Sequence, residues 1–230
     1  MKIINSNYPT IQHIKGSKMI DVADKLLNQR EQDWLTERTR TISDIVIVTE
    51  KVDGCNVGVL RRGDELFPIV RKGYDVLSNP LDWIKEFHNF VNERKERFLE
   101  LLNDGERVCG EWMIKTHTLR YKMKHEPFIC FDLISDKYRD RYLNARHRLE
   151  ANGFTTVGLV HYGASIPADV AIKMLGNGFH GVIGEPEGVV YRYENKDGFV
   201  FSGKYVSNPL VGNTEIFRQN MDSGLMNKWK

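Results

Sequence analysis

The sequence predicts an α+β fold built from antiparallel sheets flanked by helices. Strand-like segments outnumber helical ones, and the two kinds do not alternate as strand–helix–strand units of a parallel sheet require. Short turn signals also punctuate the strands, at Asp53-Gly54, Gly63-Asp64 and Asn195-Lys196-Asp197-Gly198. With 230 residues, 41% of them hydrophobic and 28% charged, the chain is long enough to bury a sizeable core. Its 19 Gly and 7 Pro exclude collagen-like and low-complexity classes. No repeat or Pro/Gly/Ser linker divides it. The expected organisation is an N-terminal segment, 1–44, packed on one domain, 45–206, with a short tail, 207–230.

Taken in order, Val22, Leu26 and Leu27 have helical spacing. Residues 44–49, β-branched on both faces from Ile45 onward, read as a buried strand and run into Glu50-Lys51-Val52-Asp53-Gly54. The Asp-Gly pair there signals a hairpin, with 57–60 as the returning strand. Ser78-Asn79-Pro80 opens one long helix whose apolar face is Leu81, Ile84, Phe87, Val91, Phe98 and Leu102, stopping at Asp104-Gly105. Strands follow at 108–113 and 128–133. A helix over 138–149 is closed by Asn152-Gly153, and Ser165 with Pro167 opens another. Strands at 189–193 and 199–206 end the series. A four-residue connection at 195–198 sets Glu194 opposite Phe199 and so Lys204 opposite Val189, on the face of Glu187; a one-residue slip reverses this.

Composition excludes several function classes. Lys plus Arg total 33 against 31 Asp plus Glu, a net charge of +2, so this is no polybasic nucleic-acid binder and any such contact must come from a local patch. Cys55, Cys109 and Cys130 lack metal-ligand spacing and read as reduced thiols, and the seven histidines show no ligand pattern either. Neither a GxxxxGK[ST] nor a GxGxxG string occurs. No apolar run approaches the ~18 residues of a membrane span, and Met1-Lys2-Ile3-Ile4-Asn5 turns polar before a signal sequence forms. The expectation is a soluble, cytoplasmic protein with no membrane partner.

Lys51 stands out at the end of a buried strand, with Asp53 two positions on. A Lys-x-Asp-Gly string arises by chance in roughly one in twenty chains of this length, so its company decides its meaning. That company is ordered: Lys51-Val52-Asp53-Gly54-Cys55-Asn56, Arg71-Lys72-Gly73, Gly110-Glu111-Trp112, Phe128-Ile129-Cys130-Phe131-Asp132-Leu133, Glu187-Gly188-Val189-Val190 and Lys204-Tyr205-Val206. The series resembles the covalent nucleotidyltransferase superfamily of ATP-dependent polynucleotide ligases and capping guanylyltransferases. Thr49-Glu50-Lys51, Asn56 and the short step from Lys51 to Arg71 look most like its RNA ligase branch.

The resemblance implies a nucleotidyltransferase (ATP-grasp-like) domain; no OB domain is expected, because the residues after Lys204 are too few for the one that DNA ligases and capping enzymes place there. It implies an enzyme that attaches AMP to Lys51 from ATP, with Mg²⁺ or Mn²⁺, passes it to an RNA 5′-phosphate and seals that end to a 3′-hydroxyl, as in RNA repair. It also implies roles: Lys51, Lys204 and Asp53 in catalysis; Glu50, Asn56, Arg71, Glu111, Phe131, Asp132 and Lys204 around the nucleotide; Glu187 on the metal. Within this, Phe131 stacks on adenine, Glu111 accepts from the ribose and Arg71 neutralises phosphate. Phe128 and Phe131 have opposite strand parity, so one belongs to the core. The basic stretch Lys115 to His125, with Lys115, Arg120, Lys122 and Lys124, is either an RNA or pyrophosphate contact or a solvated face.

Two departures bear on this expectation. The family pattern commonly has a lysine two residues before its last one, where Ser202 stands here. Few residues follow Lys204, so the RNA-binding surface is expected to be small or supplied by a partner protein. The rival readings are a minimal DNA ligase or other polynucleotide nucleotidyltransferase, and a non-catalytic nucleotide- or RNA-binding relative.

Overall fold

A computed structural model describes residues 1–5, 7–19 and 23–229. In chain order these form β1 (Gln12–His13), α1 (Gln29–Thr36), β2 (Ile45–Lys51), β3 (Cys55–Arg62), β4 (Glu65–Val70), a 3-10 turn (Val76–Ser78), α2 (Asp82–Asn92), α3 (Lys95–Leu101), β5 (Arg107–Trp112), β6 (Phe128–Ile134), α4 (Tyr142–Ala151), β7 (Thr155–Thr156), β8 (Leu159–Gly163), α5 (Ala168–Leu175), β9 (Gly188–Asn195), β10 (Gly198–Val206) and α6 (Thr214–Asp222). They make two five-stranded sheets, ordered β1-β10-β9-β2-β8 and β4-β3-β5-β6-β7. Pairing is antiparallel except where the short β1 and β7 add in parallel to β10 and β6. The α+β class is as expected, and among the described residues neither sheet closes into a barrel.

The chain divides into two compact units. The first comprises residues 1–9, 54–115 and 126–156; the second comprises 10–53, 116–125 and 157–230. In the first, Phe87, Phe90, Phe98, Trp112, Phe128 and Phe154 are buried together with apolar residues of α2, α3 and α4. Gly110 makes room for this cluster, because a Cβ there would lie 2.4 Å from Cε2 of Phe128. The second unit buries Ile14, Leu27, Leu35, Val46, Val48, Val189, Tyr191 and Tyr193. Among the described residues no helix is long and apolar enough to cross a membrane.

Three expectations change. Asp53-Gly54 does not close a hairpin: β2 already has β8 and β9 on its two edges and β3 has β4 and β5, so the chain passes from one sheet to the other there. The glycine is needed for close approach, since its Cβ would meet Met113 Sδ at 2.6 Å. The expected long helix is two, α2 and α3. Where it breaks, Arg94 N–H bonds back three residues to Val91, and the Phe90 carbonyl accepts from the Arg94 guanidinium instead. Leu26 is extended, bridged to His13, rather than helical; Val22 lies outside the described residues. The nearby helix is α1, marked by the Asn28/Glu31 capping box.

The core fixes the parity question on β6: Phe128 is fully buried and Phe131 is not. Phe128→Ala is expected to cost about 3–5 kcal/mol in urea unfolding, against well under half of that for Phe131→Ala; equal losses would contradict the packing.

Candidate active site

The register of β2 on β9 builds the centre of the second unit. Ile45 pairs with Glu194 and the ladder runs to Lys51 opposite Gly188, so Lys51 arrives beside the residue after Glu187. Lys51 Nζ lies 2.7 Å from Glu187 Oε1. Glu187 is buried, which raises its carboxyl pKa, and the Lys51 ammonium partly offsets that. Its other oxygen, Oε2, is buried with no hydrogen-bond partner. A desolvated carboxylate oxygen in that state favours one more positive group or donor.

Lys204 reaches the same centre by a route the sequence count misplaced. Phe199 does pair with Glu194, but the register shifts between Phe199 and Phe201, and Lys204 then pairs with Val190 rather than Val189. A bulge of this kind inserts one residue and flips the rest of the strand to the other face. Lys204 therefore shares the face of Gly188 and Lys51, and Glu187 reaches Lys51 from the strand's end. Burial and the neighbouring Lys51 lower the Lys204 pKa, with Asp24 acting against them. Lys204 Nζ is 3.5 Å from Asp24 Oδ1, whose Oδ2 is 3.1 Å from Nε2 of the wholly buried His13. His13 pairs with Lys204 across β1 and β10, and its Nδ1 lies 2.6 Å from Ser17 Oγ. No motif pointed to His13 or Asp24; a two-residue parallel strand has no periodicity to read.

Asp53 has an anchoring position. Its Oδ2 accepts from the N–H groups of Thr118 and Leu119, both at 2.8 Å, and its own N–H donates to the Tyr121 hydroxyl at 3.1 Å. In the basic stretch beyond, Arg120, Lys122 and Lys124 are exposed, whereas Lys115 is buried and belongs to the first unit. Glu50, beside Lys51, faces away from solvent; its Oε2 accepts from Phe179 N–H at 2.7 Å. Burial pushes Glu50 up to about 7 and His180, 3.8 Å away, down to about 3. Their contact is therefore no full ion pair at neutral pH. Gly158 N–H donates to His180 Nε2, which leaves Nδ1 to donate to His125 Nε2 at 2.9 Å.

The remaining expected residues lie in the first unit. Asn56 and Glu111 are direct cross-strand partners on β3 and β5. Along β5 and β6 the pairing jumps from Cys109–Asp132 to Gly110–Cys130, which makes Phe131 the extra residue of a bulge. Its ring stands edge-on to Tyr8, centroids 5.3 Å apart. Asp132 is buried, accepting from the Tyr8 hydroxyl at 2.6 Å and from Arg139 Nε at 2.8 Å. Arg71 donates to the carbonyls of Tyr8 and Pro9, at 3.2 and 2.9 Å, and so clamps the segment that carries Tyr8. Tyr8 and Arg139 carried no sequence signal, because their partners are distant in the chain.

A family model described as RNA ligase matches residues 44–206. The chain belongs to the RNA ligase family. Solved structures share its fold. A substituted form of Naegleria gruberi RNA ligase with ATP and Mn matches at TM-score 0.54 and 17% identity, over 88% of this chain and 58% of that one. The same ligase with PPi matches at TM-score 0.54 and 18% identity, over 92% and 63%. An archaeal ATP-dependent RNA ligase matches at TM-score 0.50 and 20% identity, over 87% and 48%. This chain thus spans between about half and two thirds of the length of those structures. A search of curated proteins found no match.

The unpartnered Glu187 Oε2 fits a hard divalent cation. No group of three or more His, Cys, Asp or Glu among the described residues is arranged to hold a metal, so such an ion would complete its shell with phosphate and water oxygens.

Glu50 gives a pH test of this arrangement. Folded, it keeps its proton up to about pH 7, whereas its ordinary value is 4.5. The unfolded chain then binds fewer protons between those values, and Glu50 makes stability fall as pH rises through them. Glu50→Gln is expected to remove this term, gaining on the wild type between pH 4.5 and 8 by on the order of 3 kcal/mol in urea unfolding. An unchanged difference would contradict the burial of the carboxyl.

Proposed function

We propose that this protein is an ATP-dependent RNA ligase that works through a lysyl-AMP at Lys51. The observation that carries the reading is the Lys51–Glu187 pair with Lys204 on the Lys51 face, in a chain of the RNA ligase family. The Lys51 amine attacks the α-phosphorus of ATP; an N–P bond forms as the bond to pyrophosphate breaks. AMP then passes to an RNA 5′-phosphate, and a 3′-hydroxyl displaces it to leave a phosphodiester.

The first step requires a neutral amine, whereas a free lysine, with pKa ~10.4, is almost wholly protonated at pH 7. Lys204, on the same face, works against a second ammonium, and Glu187 works for it. Glu187 would hold a divalent cation through Oε2. Mg²⁺ or Mn²⁺ supplies positive charge beside the phosphate oxygens. With Ser202 in place of a second lysine, Lys204 is left as the cation on β10 that meets the transferred phosphate.

Phe131 stacks on the adenine, its ring turned by the bulge and braced by Tyr8. Glu111 accepts from the ribose, with Asn56 opposite it; Asp132 and Glu50 support the nucleotide from buried positions. Arg71 acts chiefly through the Tyr8–Pro9 segment and adds charge for phosphate. Asp53 holds the chain that follows the Glu111 strand.

The test is sealing of RNA with a 5′-phosphate and a 3′-hydroxyl in ATP and Mg²⁺. Sealed product is expected from the wild type and a loss of at least about a hundredfold, some 3 kcal/mol of transition-state stabilisation, from Lys51→Ala, Glu187→Ala and Lys204→Ala. Phe131→Ala should weaken apparent ATP affinity about three- to tenfold. Sealing of DNA ends only, or none with ATP, contradicts the reading.

A further inference from the structure

In the second unit, residues 120–123 form the middle line of a small three-stranded ladder. On one side Tyr121 bridges Val182 in antiparallel fashion; on the other Lys122 bridges Lys228 in parallel. Lys122 N–H donates to Gly181 and Ile183 N–H to Arg120, both at 2.8 Å. Met123 N–H donates to Lys228 at 2.8 Å, and Lys228 N–H to Tyr121 at 3.1 Å. Asn227 locks the edge, its Oδ1 accepting from Tyr121 N–H at 2.8 Å and Thr116 Oγ1 at 2.9 Å.

Strand alternation sorts the side chains. Tyr121 and Met123 are buried; Arg120, Lys122 and Lys124 are exposed, and so is Lys228 beside Lys122. None of these four cations has a carboxylate partner among the described residues. Four unpaired positive charges on adjacent lines of one ladder are a local concentration in a chain whose net charge is +2. Along the middle line alternate residues stand roughly 7 Å apart, and neighbouring lines about 5 Å. Exposed apolar residues adjoin these lines: Ile183, opposite Arg120, is 61% exposed and Trp229, which follows Lys228 in the chain, is 42% exposed. Gly181, opposite Lys122, has no side chain, and a Cβ there would lie 2.3 Å from the Lys122 carbonyl.

Unpaired cations beside exposed aromatic and flat apolar surface match the chemistry of an unpaired nucleic-acid strand, whose phosphates need charge and whose bases need a stacking face. We propose that this ladder docks single-stranded RNA flanking the end to be joined, with phosphates on Arg120, Lys122, Lys124 and Lys228 and bases against Trp229 and Ile183. This rests on the RNA ligase reading, and it assigns the substrate strand to a surface that includes the C-terminal Lys228 and Trp229.

The experiment is fluorescence anisotropy of the full chain with a labelled 5′-phosphorylated single-stranded RNA, a duplex of the same sequence and polyglutamate of equal charge, over a salt series. Lys122→Gln with Lys228→Gln should weaken single-strand binding about tenfold at low salt and reduce the log–log salt slope by about 1.4. Trp229→Ala should weaken the single strand severalfold and leave the duplex unchanged. Thermal unfolding midpoints equal to wild type show that the exposed substitutions leave the fold intact. Unchanged affinity and slope, a preference for duplex, or equal binding of polyglutamate overturns the inference. Sealing by the wild type alongside any of those results leaves the ligase reading standing; variant-sensitive RNA binding without sealing or lysyl-AMP overturns the ligase reading and leaves the RNA surface.

Discussion

Everything at the candidate centre depends on one alignment, that of β2 against β9. Lys51 opposite Gly188 puts an ammonium 2.7 Å from the Glu187 carboxylate, inside a unit whose sheet buries both neighbours of the pair. A shift of one residue along that ladder would carry Lys51 to the opposite face. The residues before it, Val46, Ile47 and Val48, are fully buried on both faces, so the strand is anchored in the core before the lysine is reached. The apolar run is therefore a positioning device as well as a core.

Electrostatics then follows from burial. Burial raises the carboxyl of Glu187, with Asp53 adding to the shift and Lys51 and Lys204 opposing it; burial also lowers the amine of Lys204, with Lys51 adding and Asp24 and Glu187 opposing. Positive and negative groups are interleaved, so each lysine is held by a carboxylate when no phosphate is present. In the proposed function, a polyanionic nucleotide would compete for both lysines. In the first unit a comparable economy appears around Asp132, where Tyr8 and Arg139 use its oxygens and in doing so brace the ring of Phe131.

Much of this was readable in the sequence, and the gaps have physical causes. The buried strand before Lys51, the strands around Glu111 and Phe131 and the strand end at Val206 follow from side-chain periodicity. The place of Lys204 does not, because a bulge near Val200 leaves no mark in an alternating pattern that tolerates either face. Asp53-Gly54 has the composition of a hairpin turn and serves instead a close approach to Met113. The break at Arg94 is hidden because α2 and α3 keep one continuous apolar spacing, while the guanidinium that takes the Phe90 carbonyl acts through space. His13, Asp24, Tyr8 and Arg139 were missed for the same reason: each matters through a partner far away in the chain.

The central claim is that Lys51, among all the lysines, is the nucleophile. Peptide-level mass spectrometry of the protein after incubation with ATP and Mg²⁺ tests it most directly, with acid lability and alkali stability of the adduct identifying a phosphoramidate. The account predicts AMP on the peptide containing Lys51 and on no other. An adduct on Lys204, or a protein left unmodified after removal of any AMP it already carried, would contradict it.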